Sequence, residues 1–357
     1  MEILFITHDM YVGGAAKQLS LTAAGLLKRG HKVSLYTYVG DSLEHKINKG
    51  IRYIPELHPP QSRLKNLIQT PIHIHDLVRR ERPDVVISWG TDAGGLTVLG
   101  CVGLPVKVVF SERLDPYNEK TINLRLMKFL CGFSDGGVFQ TSMVREYYSR
   151  IKNSIVCPNP IDPNLNIKEI TPIKDRKCEI SWVGRMINVH KRMDVAVRAF
   201  ELIHRKFPEY KLCFYGDGAD LLSTKQLVSE LGLNNSVIFH GTVKNVIDIV
   251  SKSRISLMTS DFEGIPNVII ESFAAGTPVV ATDCSPGGAR VLIKDSHNGF
   301  IVPIGDYSFM AQRVMELLTN DKLSEEFISR SQNKLLELNY NSILDSWNAF
   351  VLGMVKN

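Results

Sequence analysis

Ile3-Leu4-Phe5-Ile6, a short apolar run, leads into the loop Val12-Gly13-Gly14-Ala15-Ala16, then Leu19, Leu26 and Leu27 at helical spacing, a stop near Gly30, and the apolar run Lys32-Val33-Ser34-Leu35-Tyr36-Thr37. The order is strand, glycine loop, helix, strand. A connection of that length crosses over and sets the two strands parallel, which makes a βαβ unit. Buried-strand patterns return at Asp84-Val85-Val86-Ile87-Ser88 and Val106-Lys107-Val108-Val109-Phe110. The first half reads as a doubly wound α/β domain.

Working outward, Ile155–Pro163 holds Pro158, Pro160 and Pro163, and prolines so close together oppose helix and favour extended or turn backbone. The domain boundary is expected there, with domains at 1–163 and 164–341. Beyond it, strands at 179–185, 211–215, 236–240, 255–258 and 278–281 alternate with helical stretches, so a second Rossmann-like half follows. Two such sheets on a hinge would face each other across a cleft, with ligands at the carboxyl ends of the strands. Helical signals at 310–318 and 323–338 precede a last helix, 342–357, which is expected to pack back on the first domain through Trp347 and Phe350.

The composition agrees. Of 357 residues, 44% are hydrophobic and 22% charged, as in a globular protein and unlike a disordered or collagen-like chain. At about 150 residues per domain the length holds two domains. No stretch approaches the roughly eighteen consecutive apolar residues of a membrane span, and the N-terminus lacks the basic start of a secretory signal. The six cysteines, Cys101, Cys131, Cys157, Cys178, Cys213 and Cys284, contain no CxxC pair, which argues against a disulfide framework or zinc cluster and fits a reducing cytoplasm. Residues 1–160 hold 20 Lys and Arg against 14 Asp and Glu, whereas 161–357 hold 22 against 23. The first half is thus mildly basic, which suits an anionic surface or phosphorylated substrate and is no nucleic-acid footprint.

Glu263-Gly264-Ile265-Pro266-Asn267-Val268-Ile269-Ile270-Glu271 sets two carboxylates eight apart after a strand. Pro266 suits a first helical turn, which puts Glu263 in the loop and Glu271 roughly two turns along. Both then reach one ligand over a helix N-terminus whose amides attract phosphate. The alternative is a solvated Glu271 and a Glu263 that only complements the helix dipole. Val183-Gly184-Arg185 ends a strand, and Lys191-Arg192 stands at the start of a helix beginning near Met193. Cations there oppose the dipole, so either a bound anion compensates them or the loop is simply exposed.

Gly184-Arg185 with Lys191, Gly216-Asp217-Gly218, Phe239-His240-Gly241-Thr242 and Glu263-x7-Glu271, in that order, resemble glycosyltransferase family 4. Gly13-Gly14 followed by Lys17-Gln18-Leu19, and Val156–Asp162 at the hinge, extend the likeness over nearly the whole chain. The resemblance implies the GT-B fold, two Rossmann-like domains facing a cleft, and transfer with retained anomeric configuration. It implies that Arg185 and Lys191 hold the donor diphosphate, Glu271 the ribose hydroxyls and Glu263 the donor sugar, with Glu263, Arg185 and Lys191 as the catalytic group. Gly13, Gly14, Gly184, Gly264, Ile265, Pro266, Asn267 and Val268 would complete the donor side, and Thr242 and Val243 would neighbour the base. Gly216–Gly218 reads first as a strand-to-helix turn, and Thr282–Gly288 as a further glycine loop in which Cys284 is packed. No Asp-x-Asp occurs, so neither a metal nor another cofactor is expected; two cations and helix amides would stabilise the departing diphosphate.

Many members carry a histidine where this chain has Phe110-Ser111-Glu112-Arg113-Leu114-Asp115-Pro116. Glu112, Arg113 and Asp115 become candidates for acceptor contacts, the alternative being an Arg–Asp pair that shapes the loop. The same stretch resembles members that build bacterial surface polysaccharides or lipid-linked oligosaccharides, often from UDP-linked hexoses or N-acetylhexosamines. Lys120–Leu130 mixes three cations with apolar residues at helical spacing, as an interfacial helix or a half-buried domain helix would. The expectation is a cytoplasmic transferase, peripheral on the inner membrane face, moving a sugar from a UDP-sugar to a glycan or glycolipid acceptor of lipopolysaccharide or capsule. A GT-B epimerase or phosphorylase, or a nucleotide-sugar sensor without turnover, are the alternatives.

Overall fold

The computed structural model describes residues 1–11, 14–39, 46–56, 63–113, 115–117, 122–163 and 170–356, with backbone alone for 63–66. The chain forms two units, Met1–Asp162 with Leu338–Asn357, and Pro163–Glu337.

In the first unit the elements run β1 (Glu2–Thr7), α1 (Gly14–Lys28), β2 (Lys32–Thr37), β3 (Arg52–Pro55), α2 (Arg63–Glu81), β4 (Val85–Trp89), α3 (Thr91–Gly100), β5 (Lys107–Ser111), α4 (Ile122–Cys131), β6 (Gly136–Phe139), α5 (Ser142–Tyr147) and β7 (Ser154–Val156). The seven strands are parallel in the order β3-β2-β1-β4-β5-β6-β7. Successive side chains of a strand point to opposite faces. Ile3 and Phe5 accordingly enter a core with Leu19 and Leu26 of α1, whereas Leu4 and Ile6 enter another with Ile74 of α2 and Leu96 of α3. Burial on both faces explains the unbroken apolar run that opens the chain.

The second unit contains β8 (Lys177–Val183), α6 (Asn188–Lys191), α7 (Met193–His204), β9 (Lys211–Tyr215), α8 (Leu221–Glu230), β10 (Val237–Phe239), α9 (Val246–Val250), β11 (Ser253–Met258), α10 (Asn267–Ala274), β12 (Val279–Thr282), α11 (Gly288–Leu292), β13 (Phe300–Val302), α12 (Tyr307–Thr319) and α13 (Asp321–Glu337). Its parallel sheet has the order β10-β9-β8-β11-β12-β13. In both units the order runs three strands one way and then reverses, which is the doubly wound Rossmann-like arrangement.

The last helix, α14 (Tyr340–Lys356), belongs to the first unit. Trp347 is fully buried there and stacks on Trp89, with ring centroids 6.0 Å apart. Glycines admit the helix. A Cβ at Gly25 would lie 2.4 Å from Leu344, and one at Gly136 2.9 Å from Met354 Sδ. Among the described residues no helix is long and apolar enough to cross a membrane, and all six cysteines are free.

Candidate active site

Where strand order reverses, the loops leaving two adjacent strands part to opposite faces and open a crevice at their carboxyl ends. In the second unit β8 and β11 are those strands. After β8 come Gly184-Arg185 and α6, which ends at Lys191; after β11 come residues 259–266 and then α10.

The two loops are tied to each other. Trp182 Nε1 donates to Thr259 Oγ1 at 2.9 Å, and Thr259 Oγ1 donates to the Lys191 carbonyl at 2.7 Å. A Cβ on Gly184 would lie 3.7 Å from Lys191 Cε, so the lysine side chain runs over the glycine toward the β11 loop. There Lys191 Nζ pairs with Glu263 Oε1. Ser260 Oγ donates to the same oxygen at 2.9 Å. Glu263 Oε2 has no partner among the described residues.

Beside this pair, His190 Nε2 donates to the Phe262 carbonyl at 2.6 Å and lies 3.6 Å from Glu263 Oε1. Because a carbonyl only accepts, Nε2 carries the proton. The imidazole stacks flat on Phe262, with centroids 4.2 Å apart. Burial lowers its pKa, against a smaller opposing pull from Glu263. Arg192 has φ 50° and is neutralised within the chain by Asp194 at 2.9 Å and Asp261 at 3.1 Å. These carboxylates, led by Asp194, raise its pKa. The compensation expected of a bound anion is therefore supplied at Arg192 by acidic side chains.

The Glu263 loop is clamped by the loop after β12. Ser285 N donates to the Asp261 carbonyl at 3.1 Å and Glu263 N to the Ser285 carbonyl at 2.7 Å. A Cβ at Gly288 would lie 1.5 Å from the Gly264 carbonyl oxygen, so only glycine permits this approach. The loop after β9 is fixed by a similar contact: a Cβ at Gly216, which has φ +148°, would lie 1.8 Å from the Gly184 carbonyl oxygen. Gly216–Gly218 thus shapes the Gly184-Arg185 loop by backbone packing, which is the turn reading. Cys284 is buried, and burial pushes its thiol up to about 12.

Two expectations are corrected in α10. Pro266 is the extended residue before the helix, not part of its first turn, and Ile269 N already bonds back to its carbonyl at 3.1 Å. Glu271 is the fifth residue of α10, one turn in, and half-buried. The Asn267 and Val268 amides lie at the helix start, where no intrahelical acceptor exists. Gly264 lies in the loop before it and Ile265 is buried. Arg185 and Thr242 are exposed, and Val243 is half-buried after β10.

In the first unit, Gly14 begins α1, while Gly13 lies outside the described residues. Glu112, Arg113 and Asp115 follow β5 and are all buried. Glu112 accepts from Thr91 Oγ1 at 2.6 Å, Tyr148 OH at 2.9 Å and Arg113 N at 2.9 Å. Arg113, 7% exposed, lies over the Trp89 ring at 3.7 Å and donates to Asn159 Oδ1 at 3.1 Å, so its described partner is Asn159 and not Asp115. Burial lowers its pKa to about 9. Asp115 Oδ1 accepts from Tyr117 N at 2.9 Å. Glu112 is thus held by α3 and by Tyr148 after α5, Arg113 by Trp89 and Asn159, and Asp115 by its own loop. Sequence reading missed His190, Ser260 and Asp261; the available signal was their position at the ends of the two strands that flank the reversal.

This fold and site define a class. Residues 12–165 match the model of Glycosyltransferase Family 4, and residues 164–334 that of Glycosyl transferases group 1. The chain belongs to the GT-B glycosyltransferases and is a transferase. It is similar, at 24% identity over 361 residues covering 97% of each chain, to the Campylobacter jejuni GalNAc-alpha-(1->4)-GalNAc-alpha-(1->3)-diNAcBac-PP-undecaprenol alpha-1,4-N-acetyl-D-galactosaminyltransferase. The lipopolysaccharide core biosynthesis glycosyltransferase LpsE of Rhizobium meliloti is 23% identical over 359 residues, 91% of each chain. The crystal structure of Anabaena HepE in complex with UDP superposes with a TM-score of 0.82 at 17% identity, covering 98% of this chain and 99% of that one.

Proposed function

We propose that this chain moves a hexose or N-acetylhexosamine from a UDP-sugar to a glycan or lipid-linked acceptor in surface-polysaccharide assembly, with retained configuration and without a metal, at the cytoplasmic face of the membrane. The observation that carries the proposal is the Lys191–Glu263 pair at the β8/β11 reversal, beside exposed Arg185 and the start of α10. The UDP bound by HepE and the undecaprenol-linked acceptor in the name of the Campylobacter relative support the two substrate classes.

Arg185 and Lys191 hold the diphosphate, and the Asn267 and Val268 amides turn toward it. Glu263 keeps Lys191 in place through Oε1 and receives a donor-sugar hydroxyl on Oε2. Glu271 takes the ribose hydroxyls, while Thr242 and Val243 neighbour the base. The acceptor oxygen attacks the anomeric carbon on the face that the diphosphate leaves. The carbon–oxygen bond to phosphate breaks, the new glycosidic bond forms, and the acceptor proton passes to the departing phosphate oxygen. Charge gathers on the diphosphate as that bond lengthens, and fixed cations and amides there lower the barrier.

Purified protein incubated with a panel of UDP-sugars and lipid-linked acceptors tests the reading. Transfer to an acceptor supports it; UDP-sugar binding without turnover on every acceptor identifies a sensor, and epimerised donor identifies an epimerase. NMR of the product tests retention, and an inverted anomeric centre rejects it.

A further inference from the structure

The first unit has a strand reversal of its own, between β1 and β4, and the loops that leave those two strands open a crevice at their carboxyl ends. His8 and Asp9 follow β1, and Gly90 leads from β4 into α3, whose second residue is Asp92. None of these side chains has a part in the donor site.

His8 Nδ1 lies 2.5 Å from Asp9 Oδ2. A carboxylate accepts, so the neutral ring holds its proton on Nδ1 and presents Nε2 as a bare acceptor. Asp9 is fixed in turn, its Oδ1 accepting from Tyr11 N at 3.0 Å. The imidazole packs edge to face on Tyr38, with centroids 5.3 Å apart, and its side chain is still 47% exposed. A ring held at one nitrogen, braced by a second ring and open at the other nitrogen is a built hydrogen-bond acceptor.

Tyr38 adds an independent sign. Its side chain is fully buried, and its hydroxyl has no partner among the described residues. Burial raises its pKa, and the charges that raise it further are Asp92 and then Asp9. The hydroxyl therefore lies by the carboxylates of both loops. A buried hydroxyl left unpaired is costly, which favours a ligand that pairs with it.

The electrostatics are the reverse of those at β8 and β11. Asp92 occupies the first turn of α3 and complements the positive end of its dipole, whereas α10 carries no acid in its first turn. The cations nearest in the fold are engaged: Lys17 pairs with Asp162 at 3.4 Å, and Arg113 is buried over the Trp89 ring. An anion entering this crevice meets Asp9 and Asp92. An uncharged polyol instead finds acceptors for its hydroxyl protons.

We propose that the crevice between the β1 and β4 loops binds an uncharged sugar ring of the acceptor, one hydroxyl donating to His8 Nε2 and another to Asp92, and that it turns acidic sugars away. Like charges brought together across a binding surface are what discriminates. The proposal deepens the transfer reading and rests on it for the source of the sugar. The donor hexose carries similar hydroxyls, so the experiment separates the two sources.

The probes are p-nitrophenyl β-glucoside and p-nitrophenyl β-glucuronide, which differ only in the oxidation of C6. Saturation-transfer NMR on the full chain with UDP present should show the glucoside bound more tightly by about fivefold or more. His8→Phe keeps a ring against Tyr38 and should weaken glucoside binding by about fivefold, the worth of one hydrogen bond. Asp92→Asn should bring the glucuronide to within about twofold of the glucoside. Both side chains are exposed, and thermal midpoints report that each variant keeps its fold. Equal affinity for the two glycosides in the parent, no glucoside binding, or unchanged glucoside binding in His8→Phe would overturn the proposal. UDP and UDP-glucose affinities are read on the same samples. A variant that weakens UDP-glucose relative to UDP assigns the crevice to the donor and overturns the proposal as well. Intact UDP binding without glucoside binding rejects the sugar crevice alone. Selective glucoside binding by a chain that does not bind UDP keeps the crevice and rejects the transfer reading.

Discussion

Lys191 and Glu263 are 72 residues apart in sequence and share an ion pair because the loops after β8 and β11 meet where the strand order of the second unit reverses. Neither residue is at a chain neighbour's mercy. Trp182 and Thr259 tie the two loops through hydrogen bonds of 2.9 and 2.7 Å, and Ser260 fixes Glu263 within its own loop at 2.9 Å. The pair is a cation kept in place beside a carboxylate with one oxygen to spare, which suits the proposed binding of a phosphate and a sugar.

Glu263→Gln preserves shape and removes the charge that positions Lys191. Turnover is expected to fall by about a hundredfold or more, with UDP affinity changed only a few-fold, because the lost interaction matters most as charge develops. Lys191→Ala should instead weaken UDP binding by about tenfold, the worth of a charge-assisted hydrogen bond, and slow turnover as well. Steady-state kinetics with calorimetric UDP titration separates the two patterns. Near-normal values in both variants would displace the site.

Gly288→Ala puts a methyl group where the Gly264 carbonyl oxygen stands, 1.5 Å away. The Glu263 loop must shift, so kcat/KM should drop by more than about tenfold, since small misplacements at a reacting centre are costly. The thermal midpoint should fall as well. Full activity in this variant would show that the clamp between the two loops is dispensable.

His190 gives the site a pH dependence of defined sign. Burial holds its folded pKa below the ordinary 6.5, so between those two values the unfolded chain binds the extra proton. Stability from this group is therefore complete above about pH 6.5 and is lost as pH falls through the folded pKa. His190→Gln should flatten the acid side of a plot of thermal midpoint against pH. An identical slope in parent and variant would remove His190 from the account.

Trp347→Ala tests the return of α14 to the first unit. The side chain is fully buried and stacks on Trp89, and such truncations cost about 3–5 kcal/mol. Denaturant unfolding of the whole protein should show the first unit losing stability by that order. A loss below about 1 kcal/mol would mean that the helix contributes little there.

Much of this arrangement was legible in the sequence. Ile3–Ile6, Val85–Ile87 and Val279–Ala281 are buried on both faces, and that leaves an apolar run with no ambiguity of side. Four strands escaped notice for local reasons. β6 opens on Gly136-Gly137 because Met354 of α14 occupies the space of a side chain, β3 ends on a proline, and β7 and β13 are three residues long. The placement of Arg185, Lys191 and Glu263 after strand ends was readable because their spacing to those ends is local. His190, Ser260 and Asp261 were not, since their roles depend on which strands become neighbours. Arg192 was misread for the same reason: its partner Asp261 arrives from β11, far along the chain.

The central claim is that Arg185 and Lys191, with the amides at the start of α10, receive the diphosphate of the donor. A crystal structure of this chain with UDP, grown with chelator present, tests it most directly. The account predicts both phosphates within hydrogen-bonding distance of Arg185 and Lys191, with Glu263 still beside the lysine. A diphosphate bound elsewhere, or UDP binding that returns only when magnesium or manganese is added, would contradict it.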